Sequence, residues 1–107
     1  MIPVDPLTWS IKIENAAQIH SIDMDTNDFF SHTGSDNSDV GDRLERVGYT
    51  WSANGENIAN GYTSEENVII AWLNSPGHCQ NIMSPSFTEM GVAKVGLYWT
   101  QDFGDTF

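Results

Sequence analysis

Apolar residues between Thr8 and Asn27 recur with the spacing of an α-helix. The positions that share this spacing are Trp9, Ile13, Ala16, Ala17, His20 and Met24. Residues three and four apart lie on the same side of a helix, so the pattern predicts a helix over 8–27 with one apolar face. The polar run 35–39, made of Ser, Asp and Asn, predicts a connecting loop because these side chains favour turns.

A shorter second helix is predicted from Asp39 to Val47, with apolar residues on one side. Asp39 is placed to cap its first turn, and Gly48 follows where a left-handed residue commonly ends a helix. The charged residues of this segment, all expected to face solvent, are Asp42, Arg43, Glu45 and Arg46.

A third helix is predicted to begin at residues 63–66, Thr-Ser-Glu-Glu. This segment has the spacing of a capping box and stands directly before the apolar run 68–73. Pro76 disfavours helical geometry at Ser75, so the helix is predicted to end near residues 74–77. His78 is then expected to follow a tight turn.

The last third of the chain has the composition of β-structure. Residues 90–104 predict a hairpin that is broken at Gly96, with residues 97, 99, 101 and 103 on one face and 98, 100 and 102 on the other. The glycine-bracketed segment 55–61 predicts a strand or another extended segment. Helices followed by strands indicate an α+β fold in layers, and we expect one domain over 6–107 after a short lead, 1–5.

Composition and charge narrow the classes of function. The 107 residues include 15 acidic and four basic side chains, a net charge of −11, which argues against binding to nucleic acid. No apolar stretch reaches the roughly 20 residues of a membrane helix, so we expect no membrane insertion. The first residues lack the regions of a signal peptide, so an export signal is expected to have been removed or never to have existed. The one cysteine, Cys79, excludes an internal disulfide.

Histidines are the first candidates for chemistry, because imidazole titrates near neutral pH and is the commonest zinc ligand. His20 lies on the apolar face of the first predicted helix, where a hydrogen-bonded core histidine is favoured over a ligand. His32 and His78 lie in loop contexts beside glycines, and Glu56 lies in the glycine-bracketed segment between them. Spacing alone does not bring these three residues into one site.

Two other residue types allow a functional and a structural interpretation. Cys79 next to His78 could act as a nucleophile, but neighbouring residues rarely face each other, and packing is favoured. Four tryptophans could form a carbohydrate platform, but packing in the core and at its rim is favoured in a domain of this size. Their positions are Trp9, Trp51, Trp72 and Trp99.

A series of ordered motifs resembles a bacterial CAP domain, of the superfamily of cysteine-rich secretory proteins, antigen five and pathogenesis-related 1 proteins. The motifs lie at residues 20–24, 30–34, 55–59, 72–78, 81–83, 89–92 and 98–104. The resemblance implies a three-layer α-β-α sandwich with a small antiparallel sheet, in proteins that are mostly secreted or extracellular. It also implies a cleft with two histidines and acidic residues that sometimes holds zinc or another divalent cation. The matching residues are His32, Glu56 and His78.

The sequence departs from the family at three places. Ser75 stands where eukaryotic members have a second cleft glutamate, and Glu89 could compensate only if the fold brought it near. Cys79 stands where bacterial relatives often have arginine. The first helix of the family, which would precede residues 6–9, is missing, so we expect exposed apolar surface and self-association into a homo-oligomer.

Two main functions follow from this resemblance. In the first, His32 and His78, with Glu56 as third ligand or hydrogen-bond partner, bind a divalent cation or a small ligand. In the second, a metal-assisted hydrolase uses the same residues, with Glu56 as catalytic general base. The sequence has no nucleophile elbow and no zinc-protease helix motif, so binding is favoured. A structural or signalling domain with a relic cleft is the third alternative, and the protein partner is undetermined.

Overall fold

The computed structural model describes residues 7–107, which form four helices and four strands. In chain order these elements are β1 (Thr8–Trp9), α1 (Ile11–Asn27), α2 (Val40–Arg46), β2 (Trp51–Asn60), α3 (Glu65–Leu73), α4 (Pro76–Met83), β3 (Glu89–Val95) and β4 (Tyr98–Thr106). The predicted lead, 1–5, and the domain start at residue 6 lie outside the described residues. Among the described residues, no helix has the length and apolar character of a membrane span.

The four strands form one sheet in the order β1-β3-β4-β2. The pairs β3–β4 and β2–β4 are antiparallel, as expected from the hairpin pattern. Strand β1 runs parallel to β3 and pairs only Thr8 with Glu89 and Trp9 with Met90. The sheet is therefore mixed rather than wholly antiparallel, because a two-residue strand joins its edge just before the chain enters α1.

Helices cover the two faces of the sheet, which confirms the predicted α+β layers. On one face, α1 and α2 enclose a core cluster of Ile13, Ala16, Leu44 and Tyr49. On the other, α3 packs against the sheet in a cluster of Ala59, Val68, Trp72 and Trp99. Neighbouring residues of β4 point in opposite directions, so Trp99 joins the second cluster while Thr100 contacts Ser21 of α1 with its hydroxyl.

Helix α1 begins three residues later than predicted. Ser10 has extended backbone angles, and its hydroxyl accepts a hydrogen bond from the backbone N–H of Ile13 at 3.3 Å. This cap fixes the helix start at Ile11. Trp9 consequently lies in β1, and half of its surface is exposed, so it is not part of the buried helix face.

The second helix is confirmed, with a reciprocal capping box between Asp39 and Asp42 and a left-handed Gly48 after its end. The third helix is also confirmed, but its cap is Ser64 rather than Thr63. Ser64 satisfies the N–H of Asn67, which lies three residues further along. The capping-box spacing therefore located the helix correctly but placed its N-cap one residue too early.

The expected tight turn before His78 is instead the start of helix α4. Pro76 occupies the first helical turn, where its missing N–H and fixed φ are tolerated. Ser75 keeps the extended geometry that a following proline favours. The proline thus ends α3 and also begins α4, which places His78 on a helix.

Candidate functional site

A buried carboxylate, that of Glu56, lies at the centre of the candidate site. Glu56 belongs to β2, and its side chain is 2% exposed. Its Oε1 atom is 2.9 Å from Nδ1 of His32, and its Oε2 atom accepts a hydrogen bond from Arg43 at 2.8 Å. Both carboxylate oxygens are therefore occupied by protein groups.

Arg43 is buried, although the sequence analysis placed it on the solvent-facing side of α2. Its guanidinium donates to the carbonyl oxygens of Ser38 and His32 as well as to Glu56. A charged side chain is buried at a tolerable cost only when it is paired and hydrogen-bonded, and these contacts meet that condition. Arg43 therefore joins α2, the loop before it and the sheet at one point.

His20 is a buried, hydrogen-bonded histidine, as the sequence analysis favoured. Its Nε2 atom lies 2.7 Å from the carbonyl oxygen of Ser31, a distance at which Nε2–H donates. The same nitrogen lies 3.8 Å from Oε1 of Glu56, so His20 also borders the site. Burial lowers the pKa of His20 below 6.5, although the negative charge of Glu56 opposes this shift.

Asp102 is a second buried acid. The sequence pattern predicted only that it lies on one face of a strand. It stands directly opposite Glu56 in the β2–β4 register and is fully buried. Burial and the neighbouring charge of Glu56 raise the pKa of Asp102 well above 3.8. Strand β4 also contains the polar residues Thr100, Gln101 and Asp105, so its sequence does not distinguish Asp102 as a buried acid.

The ionisation of Glu56 follows from its partners. Burial by itself disfavours the charged form, but hydrogen bonding from His32 and the charge of Arg43 outweigh it and lower the pKa to about 2. An ionised carboxylate can only accept hydrogen bonds. Nδ1 of His32 is therefore the donor, and Nε2 is the ring nitrogen without a proton in the neutral imidazole.

His32 and His78 extend from different layers towards a common region. The His32 side chain is 59% exposed, and His78 projects from the first turn of α4. Burial of His78 and the positive charge of nearby His32 lower the pKa of His78 below 6.5. The lowered pKa favours the neutral imidazole of His78 at neutral pH.

Ser75 has a direct contact in this region, at the position where the family resemblance expects a glutamate. Its hydroxyl lies 2.9 Å from Nδ1 of His78 and can accept a hydrogen bond from it. Glu89 does not take the glutamate's place, because its carboxylate accepts a hydrogen bond from Tyr49 at the start of β3. Among the described residues, no group of three or more His, Cys, Asp or Glu side chains is arranged to hold a metal ion.

Two asparagines link α4 to the sheet and so fix the position of His78. The Asn57 amide donates to the carbonyl oxygen of His78 at 3.1 Å. Asn81 donates to the Glu56 carbonyl at 3.1 Å and to the Asn57 side chain at 2.9 Å. Neither asparagine was a candidate from the sequence, because nothing in the local sequence indicates that Asn81 of α4 contacts Asn57 of β2.

The remaining candidates from the sequence fit packing roles. Cys79 is half-buried, and its thiol is free. Trp72 and Trp99 are almost completely buried in the core, while Trp51 packs at the edge of the other cluster. The indole of Trp9 is half exposed and donates to Glu14.

Comparisons with known proteins give the family. A family model described as the cysteine-rich secretory protein family, CAP, matches residues 3–103. The YkwD protein of Bacillus subtilis is 37% identical over 100 residues, which cover 92% of this chain and 39% of that protein. The membrane protein YlbC of the same bacterium is 35% identical over 97 residues, covering 91% of this chain and 28% of YlbC.

Solved structures agree in fold. An extracellular protein containing a SCP domain from Bacillus anthracis superposes with a TM-score of 0.93 at 34% identity, covering 96% of this chain and 35% of that chain. An outer surface protein of Borrelia burgdorferi has a TM-score of 0.88 at 20% identity, covering 97% and 80% of the two chains, and it supports the fold alone. The chain spans well under half the length of its Bacillus relatives. With its three-layer architecture and its match over residues 3–103, the chain belongs to the cysteine-rich secretory protein, or CAP, family.

Proposed function

We propose that the protein binds a divalent cation such as zinc, or a small ligand, between the imidazoles of His32 and His78. The observation that carries this proposal is that each ring has its Nδ1 atom beside an oxygen acceptor, Glu56 or Ser75, at 2.9 Å. Metal-binding histidines typically donate their second ring N–H to such an acceptor, which fixes the tautomer and the ring orientation. Neither Nε2 atom has a hydrogen-bond partner among residues 7–107.

Glu56 serves this site as an orienting group rather than as a third ligand. Its two oxygens already accept hydrogen bonds from His32 and Arg43, and its side chain is only 2% exposed, so a cation has little access to the carboxylate. Two imidazoles then leave the remaining positions of a tetrahedral zinc ion to water or an incoming ligand. The donor set therefore suits an open site.

The hydrolase alternative is weaker on these observations. A general base works best with a pKa near the working pH, whereas that of Glu56 is about 2. The side chain of Glu56 is also only 2% exposed, so water has little access to its oxygens. We therefore place binding before catalysis.

Isothermal titration with zinc at neutral pH tests the proposal. His32→Ala and His78→Ala each remove one ligand and should abolish specific binding while the far-UV spectrum is retained. Glu56→Gln and Ser75→Ala should weaken binding by about 10- to 100-fold, the usual effect of removing a partner of a metal-bound histidine.

Glu66→Gln provides the matched control, because Glu66 is an exposed acid on α3 that lacks any contact with either imidazole. It should leave the isotherm unchanged, which separates specific binding from weak attraction to an acidic surface. Unchanged zinc isotherms in both histidine variants would remove the basis of the proposal.

We further infer an extracellular location for the domain. The Bacillus anthracis protein that it resembles at 34% identity is described as extracellular. Immunodetection of the full-length protein in intact and lysed cells tests this inference. Detection only after lysis would contradict it.

A further inference from the structure

We propose that the cavity beside His78 is a specificity pocket for an aromatic ring, carried by a small ligand whose anionic head group lies at the two imidazoles. The head-group part of this inference rests on the proposed function, whereas the ring pocket rests on the geometry of the cavity. The cavity has a volume of about 320 Å³. A cavity of roughly 150 Å³ already accommodates benzene, so there is room for a phenyl group.

The walls of the cavity are apolar and partly aromatic. Strand β2 contributes Ile58 and Ala59, helix α3 contributes Trp72, and the segment between them contributes Tyr62. The indole N–H of Trp72 already donates to the carbonyl oxygen of Ile58 at 3.1 Å. Only 2% of Trp72 is exposed, so it supports the cavity wall from behind and leaves direct contacts with a ligand ring to Tyr62 and Phe30.

Phe30, in the loop after α1, also lines the cavity, and 51% of its surface is exposed. It belongs to neither core cluster among the described residues. The position is only two residues before His32, so the same loop carries a candidate ligand and an exposed aromatic wall. A ring bound against Phe30 would cover apolar surface that the fold leaves in water.

The polar end of the cavity makes it continuous with the candidate site. Ser75 and His78, which form the hydrogen-bonded pair described above, both line the cavity. A head group at Nε2 of His78, or at a cation bound there, would place its substituent next to the apolar walls. The chain carries a net charge of −11, so an anionic head group would be held only with the help of a cation.

The probes for the test are acetohydroxamate and phenylacetohydroxamate, which share a zinc-binding head group and differ by one phenyl ring. With zinc-loaded protein, the phenyl compound should bind at least about tenfold more tightly, because ring burial adds favourable transfer free energy. Titration calorimetry measures both affinities. The same preference should be detectable in metal-free protein at higher ligand concentration, by ligand-observed NMR.

Two variants should abolish the preference without changing the zinc isotherm. Phe30→Ala removes one wall of the pocket, and Ala71→Phe fills it from the half-buried surface of α3. Ile11→Ala is the matched control, because Ile11 is an exposed apolar residue on α1 that does not line the cavity. If Ala71→Phe fails to fold, Phe30→Ala decides the test.

The outcomes separate this inference from the proposed function. Equal affinities of the two hydroxamates for zinc-loaded protein would overturn the ring pocket and leave the zinc site standing. Absence of zinc binding would overturn the proposed function and the head-group part. In that case a phenyl preference in metal-free protein that Phe30→Ala abolishes would still support the pocket, and its absence would overturn the pocket as well.

Discussion

At the level of single residues, four side chains surround the carboxylate of Glu56 on the face of the sheet that α1 and α2 cover. The carboxylate contacts His32 and Arg43, lies 3.8 Å from His20 and stands opposite Asp102. Burying these groups is unfavourable for each alone. The arrangement is stable because one ionised carboxylate faces one buried guanidinium, while burial favours the neutral forms of His20 and Asp102.

Removing the charge of Glu56 should therefore destabilise the whole domain. Glu56→Gln leaves Arg43 buried without its anion, and breaking one side of a buried pair costs about 3 kcal/mol or more. Urea unfolding at pH 7 measures the change. Glu45→Gln, at an exposed position on the same helix as Arg43, is the control and should change stability by less than about 0.5 kcal/mol. Equal effects of the two substitutions would contradict the central role of Glu56.

Among the elements, α1 lies unusually close to β3. A methyl group at Gly91 would overlap the backbone of Glu14 in the first turn of α1. Glycine is thus required there by close approach rather than by its backbone angles. This contact determines how closely the helix that carries His20 lies against the sheet that carries Glu56.

The substitution Gly91→Ala should push α1 away from the sheet. Forcing atoms into a closely packed contact commonly costs about 1 to 3 kcal/mol, and the upper end is expected because backbone must move. Thermal unfolding measures the loss. Gly77→Ala in α4 is the control, since nothing lies within 4 Å of a methyl group there and alanine favours helix. A loss of stability as large at Gly77 as at Gly91 would show that packing against Glu14 is not the cause.

At the scale of the whole molecule, His20 and His78 should make stability depend on pH. The pKa values of His20 and His78 in the folded protein are lowered, so between pH 6.5 and those values the unfolded chain binds more protons. Stability is then lost as the pH falls below about 6.5. Glu56 adds a further loss between pH 4.5 and about 2, since its folded pKa is also lowered.

The titration of Asp102 changes the stability in the opposite direction. Its pKa is raised in the folded state, so its contribution is complete below 3.8 and is lost as the pH rises through the raised value. Urea unfolding at a series of pH values measures the sum. The free energy of unfolding should fall from about pH 7.5 to about pH 5, and His78→Gln should reduce that slope. A slope that is unchanged in His78→Gln would contradict the lowered pKa of His78.

Self-association of the whole molecule stays a prediction. Apolar residues on the outer side of α1 are exposed, namely Ile11, Ile19 and Ile22. The net charge of −11 opposes close approach of two copies, so any association should strengthen with ionic strength.

Local sequence determined the elements of this protein because their causes are local. The spacing of apolar residues gave α1, Asp39 gave the start of α2, and Gly96 gave the hairpin turn between β3 and β4. The family motifs identified the fold because they cover nearly the whole chain. They also selected His32, Glu56 and His78, although the spacing of these residues carries no information about their distances.

Tertiary structure alone decided which residues meet. Arg43 faces Glu56 instead of solvent because α2 is packed against β2, and Asp102 meets Glu56 because the β2–β4 register aligns them. Both contacts join segments distant in sequence, so their energies depend on packing and on burial rather than on local propensity. The pair of Ser75 and His78 has a local cause instead, because Pro76 begins α4 directly after Ser75 and so brings residues three apart into contact.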